Sequence, residues 1–292
     1  MNKYPRLGLF CSTNDGKLST NRTIKLSSLL KEKALDIARK NINDFTSIIE
    51  FCNERHITMF RLGNSCIPFA SHLDFDKSIW NELAPDFEKV KRSNLKHNLR
   101  LTIHPGQFIQ LGSKNPKVVE SSLRELEYCT RLLDGFEAGH TGIITLHIGG
   151  SNGDKKATID RFCKVFEQNS WLKKYLALEN DEYNFTAQET LEVANRCDIG
   201  MIFDIFHHYI NPSEILWKDI KNSWKNTRAK VHISSQGDGK IGHHADYISV
   251  NDFISLKNFL GDDYCDVDIM IEAKKEEEAI QMIYQNIDNS IF

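Results

Sequence analysis

Six short apolar runs in the sequence each end on a residue type that binds metal ions. These terminal residues are His104, His147, Glu179, Asp204, His232 and Glu272. Imidazole nitrogens combined with carboxylate oxygens suit zinc, manganese or iron, whereas the absence of thiolates argues against a purely structural zinc site. Three histidines and three carboxylates exceed what one tetrahedral ion needs. The residues therefore predict a site for at least two divalent ions, with one carboxylate bridging them.

Two more histidines lie shortly after these runs. His207 follows Asp204 in the segment DIFHH, and His244 lies in the later segment HHAD. Their neighbours His208 and His243 remain alternatives, because the members of each pair have the same side chain. A lone buried histidine is more often a hydrogen-bonded core residue than a ligand. The recurrence of ligand types at corresponding places favours a shared metal site instead.

These candidates require a fold that brings distant residues together. Eight apolar runs are predicted to be strands, at 7–11, 57–62, 100–104, 142–148, 175–179, 199–204, 229–233 and 268–272. Helix-period segments follow them, at 25–53, 79–98, 116–133, 158–168, 186–196, 213–224, 251–260 and 276–287. This alternation predicts an α/β fold, a closed TIM (β/α)8 barrel, as one domain over residues 1–292. Active sites of such barrels lie where the carboxyl ends of the strands meet, so the candidates should face one small volume.

Composition limits the classes of function. The chain has 292 residues with 37 Lys+Arg against 40 Asp+Glu, so no overall basic balance indicates a nucleic-acid binder, and any positive surface must be local. The seven cysteines are odd in number and form no CxxC pair, which argues against a disulfide framework. No apolar run approaches the ~20 residues that cross a bilayer, and no signal-peptide pattern opens the chain. We therefore expect a soluble, cytoplasmic protein without a membrane partner.

Seven stretches that contain these residues occur in the order found in a known family. They are HPGQF at 104–108, LHIGG at 146–150, LEND at 178–181, FDIFHH at 203–208, KVHISS at 230–235, HHADY at 243–247 and MIEAK at 270–274. In these stretches the chain resembles the ultraviolet damage endonucleases, which share a TIM barrel and a metal-site plan with endonuclease IV and xylose isomerase-like enzymes. The resemblance spans nearly the whole chain.

The resemblance implies a metal-dependent DNA repair endonuclease that nicks DNA immediately 5′ of cyclobutane pyrimidine dimers and 6-4 photoproducts. The nick would leave a 3′-hydroxyl and a 5′-phosphate. The implied partner is damaged double-stranded DNA, with no obligatory protein partner. The implied cofactors are two or three divalent ions, Mn²⁺ first and Zn²⁺ as the alternative. The implied ligand sets are His104, His147 and Glu179 for one ion, Glu179, Asp204, His232 and Glu272 for a second, and His207 with His244 for a third.

The chemistry of phosphodiester hydrolysis supports the same site independently. Divalent ions can bind the nonbridging oxygens, make water nucleophilic near neutral pH and stabilise the leaving oxygen. Glu179 and Glu272 are the carboxylates that we expect to act in catalysis. Lys230 precedes His232 by two residues, so the period of a strand directs both side chains into the barrel. A lysine there either stabilises phosphate charge or is chemically neutralised; the alternative is a solvated or ion-paired lysine.

Gln107 and Phe108, shortly after His104, are predicted to probe DNA. The amide can replace lost base hydrogen bonds while the aromatic ring fills a stacking gap, a combination suited to opening a duplex. A crosslinked pyrimidine pair also costs less to extrude than an intact one. The alternative is that Phe108 is a core residue and Gln107 a loop amide.

Three polar residues near the first two strands are further candidates for DNA contacts. Ser12 and Asn14 are expected to hydrogen-bond DNA. Arg61 is expected either to bind a phosphate or to pair with an internal carboxylate. Some family members carry an aromatic residue where Leu9 stands, so the resemblance predicts that a stacking contribution from this loop is missing. Phe10 is expected to be a core residue rather than a substitute.

Two rival enzymes fit parts of the same pattern. An abasic-site endonuclease of the endonuclease IV type would use the same chemistry with a different lesion pocket. A metal-dependent sugar isomerase would also use carboxylates, a histidine and divalent ions. The pair Gln107 and Phe108 and the histidine-rich ligand set favour the nuclease. A nonenzymatic DNA-binding protein is the poorest choice, because it has no need for so many metal ligands.

Overall fold

The strands form one closed sheet in a computed structural model, which describes residues 4–289. They are β1 (Arg6–Phe10), β2 (Met59–Leu62), β3 (Arg100–Ile103), β4 (Ile143–His147), β5 (Leu176–Glu179), β6 (Met201–Asp204), β7 (Lys230–Ile233) and β8 (Asp268–Ile271). Each strand pairs in parallel with the next, and β8 pairs in parallel with β1, which closes the barrel. The predicted TIM barrel is confirmed. The predicted single domain over 1–292 extends beyond the described residues at both ends and stays a prediction.

Helices cover the outside of the barrel between successive strands. They are α1 (Lys31–Glu54), α2 (Ile79–Glu82), α3 (Ala84–His97), α4 (Pro116–Gly135), α5 (Lys155–Gln168), α6 (Ala187–Cys197), α7 (Ile205–Ile210), α8 (Trp217–Ser223), α9 (Val250–Leu260) and α10 (Glu276–Asp288). Their apolar faces pack on the sheet; the rings of Phe45 in α1 and Phe60 in β2, for example, stack with centroids 5.4 Å apart. Within residues 4–289, no helix combines the length and apolar character needed to cross a membrane.

One helix that bears on the site is not predicted from the sequence. α7 follows β6 directly and carries His207, whereas the sequence predicts no helix between 204 and 213. Asp204 ends the strand with extended backbone, and its carboxylate accepts a hydrogen bond from the backbone amide of His207 at 2.9 Å. This is an N-cap, which satisfies an amide that the first helical turn leaves free. His207 is therefore fixed on the first turn of a helix.

Side chains that alternate along the strands point into the barrel and form stacked layers. The predicted metal ligands form the layer at the carboxyl ends. Below them, Lys230 donates a hydrogen bond to Thr145 at 2.8 Å, and both side chains are fully buried. At the amino ends, Asp268 pairs with Arg6 at 2.6 Å and with Arg100 at 2.5 Å. Buried ion pairs thus lie at the amino-terminal end of the barrel, and the candidate ligands lie at its carboxyl-terminal end.

Replacing Asp268 with alanine should strongly destabilise the fold. The side chain of Asp268 is fully buried and that of Arg100 is 4% exposed, so the substitution leaves a buried guanidinium without its carboxylate. Breaking such a pair should lower the free energy of unfolding by about 3–5 kcal/mol, as measured by urea denaturation. The matched control is Asp266→Ala, because that side chain is 81% exposed. A loss below about 1 kcal/mol would show that the buried pairs do not stabilise the barrel.

Candidate metal centre

Glu179, at the end of β5, lies at the centre of the predicted site. Its side chain is 1% exposed, and the Nε2 atom of His104 lies 3.0 Å from its Oε2 atom. The Nε2 atom of His147 lies 3.5 Å from the same oxygen. The Nδ1 atom of His232 lies 2.6 Å from Oε1. Histidines within or directly after three other strands thus converge on one carboxylate.

His232 connects this carboxylate with two others. Its Nδ1 atom lies 3.3 Å from Oε1 of Glu272 and 4.0 Å from Oδ2 of Asp204. The Nδ1 atom of His207 lies 3.7 Å from the same oxygen of Asp204. The carboxyl ends of β6, β7 and β8 therefore surround the same volume as those of β3, β4 and β5.

The potential ligand atoms form three overlapping groups, and within each group they lie within 4.8 Å of one another. The groups are His104, His147 and Glu179; Glu179, Asp204 and His207; and Asp204, His232 and Glu272. Glu179 and Asp204 each belong to two groups, an arrangement that suits ions bridged by carboxylates. The structure thus brings together every predicted ligand except His244.

His244 lies at the edge of the site. Its Nδ1 atom is 4.0 Å from Oε2 of Glu272, and its ring packs edge-on against Phe206 with centroids 5.7 Å apart. It belongs to none of the three ligand groups found among the described residues. A role of His244 as a ligand therefore stays a prediction.

The two alternative histidines lie outside the ligand groups. The ring of His208 packs against Phe203, with centroids 5.2 Å apart, whereas its neighbour His207 joins a group. His243 is exposed on the loop that carries His244. The geometry favours His207 over His208, whereas His244 lies outside the ligand groups as His243 does.

Backbone carbonyls orient three of the candidate histidines. In each, Nδ1 faces a carbonyl oxygen, which is that of Pro105 for His104 (3.1 Å), of Glu179 for His147 (3.2 Å) and of Asn180 for His207 (3.0 Å). A hydrogen bond from Nδ1 fixes the tautomer and leaves Nε2 free as a ligand atom. This is the arrangement that metal-binding histidines usually show.

Several buried polar atoms of the site make no hydrogen bond of regular geometry to another described residue, although some lie close to an oppositely charged group. They are both carboxylate oxygens of Glu179, Oδ2 of Asp204 and both ring nitrogens of His232. Buried carboxylate oxygens without partners are strongly destabilising unless a cation compensates them. Divalent ions bound by these oxygens and nitrogens would satisfy them. The donor set therefore fits ions such as Mn²⁺, Zn²⁺ or Fe²⁺.

Comparison with known proteins shows which family the chain belongs to. The family model described as UV-endonuclease UvdE matches residues 5–290. The chain belongs to the UvdE family. A UV DNA damage endonuclease of Clostridium perfringens is 32% identical over 294 aligned positions, covering 95% of this chain and 70% of that protein. The crystal structure of SacUVDE superposes with a TM-score of 0.90 at 29% identity, covering 99% of this chain and 100% of that one. The family predicted from the sequence is confirmed.

The barrel is also similar to endonuclease IV from Thermus thermophilus. The TM-score is 0.62 at 13% identity, covering 98% of this chain and 100% of that one. At this identity the likeness shows the fold alone. Membership of the UvdE family rather than overall shape therefore distinguishes the chain from its nearest predicted rival.

The ionisable groups of this UvdE-family site differ in pKa because of their neighbours. Burial raises the pKa of Glu272, but Arg61 lowers it more, so the pKa stays well below its usual range. Burial raises the pKa of Asp204 to about 7, although His207 opposes the shift. Burial lowers the pKa of His207, but Asp204 and Glu179 raise it to about 9. In the metal-free protein at neutral pH, His207 is therefore the positively charged imidazolium.

Lys230 lies one layer below this centre. Burial lowers its pKa to about 7, and the charge of Arg61 acts in the same direction. Its Nζ donates to the hydroxyl of Thr145, and the side chain is fully buried. The alternative of a solvated lysine is therefore wrong.

Arg61 pairs with an internal carboxylate, one of its two predicted roles. It forms an ion pair with Glu272, and its guanidinium lies 4.8 Å from the ring centroid of Phe10. A contact between Arg61 and a phosphate stays a prediction. The expectation that Phe10 is a core residue is wrong, because it is half-buried and lines the cleft above the site. Its neighbour Leu9 is the residue that is fully buried.

A cleft of about 930 Å³ leads to the candidate ligands, and Gln107 and Phe108 line it. Gln107 is exposed and Phe108 is 66% exposed, so the alternative of Phe108 as a core residue is wrong. A Cβ atom at Gly106 would lie 2.5 Å from the ring of Phe108, so glycine leaves room for that ring. The structure thus places an amide and an aromatic ring at the rim, beside His104.

Ser12 and Asn14 contact the amino end of α10. The hydroxyl of Ser12 donates to Oε1 of Glu276 at 3.2 Å, and the side-chain amide of Asn14 donates to Oε1 of Glu278 at 2.6 Å. Both side chains are engaged with carboxylates in this structure. Contacts of Ser12 and Asn14 with DNA stay predictions.

Two residues of the loop after β5 contribute to the site without having been selected from the sequence. Asn180 is fully buried and exchanges hydrogen bonds with the backbone of Asp204, at 3.0 Å to the carbonyl and 2.9 Å from the amide. The Oε2 atom of Glu182 lies 3.6 Å from Nε2 of His207. Both residues lie in a polar run directly after Glu179, and this position is the sequence feature that could have identified them.

Replacing Glu179 with glutamine should reduce metal binding. The substitution keeps the size of the side chain but removes a charge that two ligand groups share. After equilibration with Mn²⁺ and gel filtration, the wild type should retain about two ions per chain and the variant about one fewer, by plasma mass spectrometry. The matched control is Glu214→Gln, an exposed glutamate outside the ligand groups. Equal metal content in both variants would contradict a central role of Glu179.

Metal binding at neutral pH should release protons. Because the pKa of His207 in the metal-free protein is about 9, its imidazolium must lose one proton before a ring nitrogen can bind an ion. Metal affinity should therefore rise with pH and level off above the pKa. Calorimetric titration in buffers of different ionisation enthalpy should give about one proton released per chain at pH 7. A heat of binding that is independent of the buffer would contradict this expectation.

Proposed function

We propose that this chain is a metal-dependent DNA repair endonuclease that nicks DNA immediately 5′ of cyclobutane pyrimidine dimers and 6-4 photoproducts. The nick leaves a 3′-hydroxyl and a 5′-phosphate. The proposal is supported above all by a ligand cluster fitted to divalent ions at the foot of an open cleft, in a chain that matches the UvdE family. The relative from Clostridium perfringens is named a UV DNA damage endonuclease.

The arrangement of carboxylates suits hydrolysis of a phosphodiester. Bound divalent ions would neutralise phosphate charge and lower the pKa of the attacking water. Glu179 and Asp204, each shared by two ligand groups, would keep the ions close together. Glu272 stays ionised because Arg61 pairs with it, so it offers a carboxylate throughout the neutral range.

Lys230 is proposed to support catalysis from the layer below the ligands. Its pKa of about 7 allows it to gain or lose a proton near neutral pH. In its charged form it offsets the negative charge of Glu179 and of the phosphate. In its neutral form it avoids repelling the ions, which would otherwise lie near a buried cation.

Mn²⁺ is the proposed activating ion, with two or three ions per chain. The three ligand groups support this range, because two of them share Glu179 and two share Asp204. Mixed imidazole and carboxylate ligands suit Mn²⁺, and Zn²⁺ is the alternative.

Damaged double-stranded DNA is the proposed partner, in an intracellular compartment where DNA is accessible. Gln107 and Phe108 would enter the helix where a lesion has weakened pairing and stacking. Arg61, Ser12 and Asn14 would lie near the DNA backbone. We infer no obligatory protein partner and no membrane contact.

Nicking of three supercoiled plasmids tests the proposed function. Ultraviolet-irradiated, abasic and undamaged plasmids are incubated with the protein and Mn²⁺, with and without EDTA. Only irradiated plasmid should be nicked efficiently, only without EDTA, and the new ends should be extendable by a DNA polymerase because they carry 3′-hydroxyls. Preferential nicking of abasic plasmid would indicate the abasic-site endonuclease instead. Ketose–aldose interconversion without nicking would indicate the isomerase.

Replacing both Gln107 and Phe108 with alanine should weaken nicking of irradiated plasmid. Loss of one stacking contact corresponds to about a 5- to 100-fold decrease in kcat/KM. Metal content should stay at the wild-type value, because neither residue belongs to a ligand group. Gln188→Ala, an exposed glutamine outside the cleft, is the control. Unchanged nicking by the double variant would discard the probe role.

A further inference from the structure

The most exposed of the Phe, Tyr and Trp side chains in residues 4–289 is that of Tyr183, in the loop between β5 and α6. Its exposed fraction is 70%, compared with 66% for Phe108. Both rings line the cleft above the candidate ligands. Two exposed aromatic rings on the lining of one cleft form a surface that is suited to stacking on another molecule.

The backbone that carries Tyr183 is ordered by a buried carboxylate. Asp181 is 7% exposed and accepts hydrogen bonds from the backbone amides of Tyr183 at 2.8 Å and Phe185 at 3.0 Å. The side chain of Asn211 donates to the carbonyl of Asp181 at 3.1 Å, and Phe185 is fully buried. The hydroxyl of Tyr183, in contrast, makes no hydrogen bond to any residue between 4 and 289. The loop is therefore fixed while the ring is free to contact a ligand.

Phe108 and Tyr183 flank a segment without side chains. Phe108 follows β3 and Tyr183 follows β5, so the loop after β4 lies between them in the order of the barrel. Gly149 and Gly150 of that loop line the same cleft. A Cβ atom at Gly150 would meet Oε1 of Gln110 at 4.0 Å and nothing closer. Gly149 and Gly150 therefore add no side chain to the part of the cleft that lies between the loops of the two aromatic residues.

The charge beside Tyr183 indicates a base rather than a phosphate as the contact. Glu182 precedes Tyr183, and its carboxylate is directed toward His207 at 3.6 Å. A carboxylate repels the DNA backbone, whereas bases stack on aromatic rings through uncharged faces. An intact duplex keeps those faces covered, so a base that has left the stack is the part of DNA that fits.

We propose that Tyr183 is a base-stacking residue that holds a base displaced from the damaged helix, across the glycine segment from Phe108. The inference rests on the proposed function and adds a specificity-determining residue to it. Phe108 fills the gap left in the helix, Tyr183 covers the displaced base, and Gly150 keeps the space between them open. The contribution of Tyr183 does not depend on charge, so the salt dependence of binding should be the same with and without its ring.

Binding of a duplex with one cyclobutane pyrimidine dimer tests this role. The duplex carries a nonhydrolysable methylphosphonate 5′ of the dimer, and fluorescence anisotropy measures its affinity for the Mn²⁺-loaded protein. Tyr183→Ala should weaken binding of this duplex about 5- to 100-fold and leave binding of the undamaged duplex unchanged. Tyr183→Phe should bind like the wild type, because it keeps the ring. Gly150→Val should weaken binding of the damaged duplex, because its side chain occupies the space.

The matched control is Tyr209→Ala, which removes a tyrosine that is 49% exposed but does not line the cleft. Wild-type affinity of Tyr183→Ala for the damaged duplex, in a protein that nicks irradiated plasmid, would overturn the stacking role and leave the proposed function intact. Equal weakening on damaged and undamaged duplexes, or loss of bound Mn²⁺, would also overturn it. A wild type that discriminates lesions neither in binding nor in nicking would contradict the proposed function itself.

Discussion

The structure depends on compensating the carboxylates buried at the mouth of the barrel. Glu179 and Asp204 are at most 1% exposed, and three of their four carboxylate oxygens make no hydrogen bond of regular geometry among the described residues. Charges in such surroundings are tolerated only with close countercharges. The histidines supply part of this charge when protonated, Arg61 supplies it beside Glu272, and divalent ions fit the remainder. Metal binding should therefore contribute directly to the stability of the folded state.

The same requirement governs the layers below the ligands. Lys230 would be a costly cation beneath bound ions, but burial brings its pKa to about 7 and Thr145 offers it an uncharged partner. Farther down, Asp268 lies between Arg6 and Arg100, so its charge is matched on both sides. In each layer, the cost of burying a charged side chain is thus reduced by contacts within that layer. The net charge of −3 over the whole chain reveals nothing of this local pairing.

The strands and most candidate ligands could be predicted because both follow a local rule, an apolar run that ends on a ligand such as Glu179. The helix that begins after Asp204 could not, because it is only 6 residues long and depends on a side-chain cap. The pair of Arg61 and Glu272 joins residues 211 positions apart, and no local pattern selects it over a phosphate contact. Tyr183 was missed for a related reason, since its exposure is set by the folded loop rather than by residue type.

The candidate metal ligands and the candidate DNA-contacting residues lie on different parts of the fold. Most candidate ligands lie at strand ends or just beyond them, whereas Gln107, Phe108 and Tyr183 lie on loops that can change without moving the barrel. The likeness to endonuclease IV at 13% identity shows that the barrel persists when most of the sequence differs. A fold that persists in this way can carry different functions on its loops. Because an ordered loop loses little entropy on binding, the turn fixed by Asp181 makes an exposed ring effective at stacking.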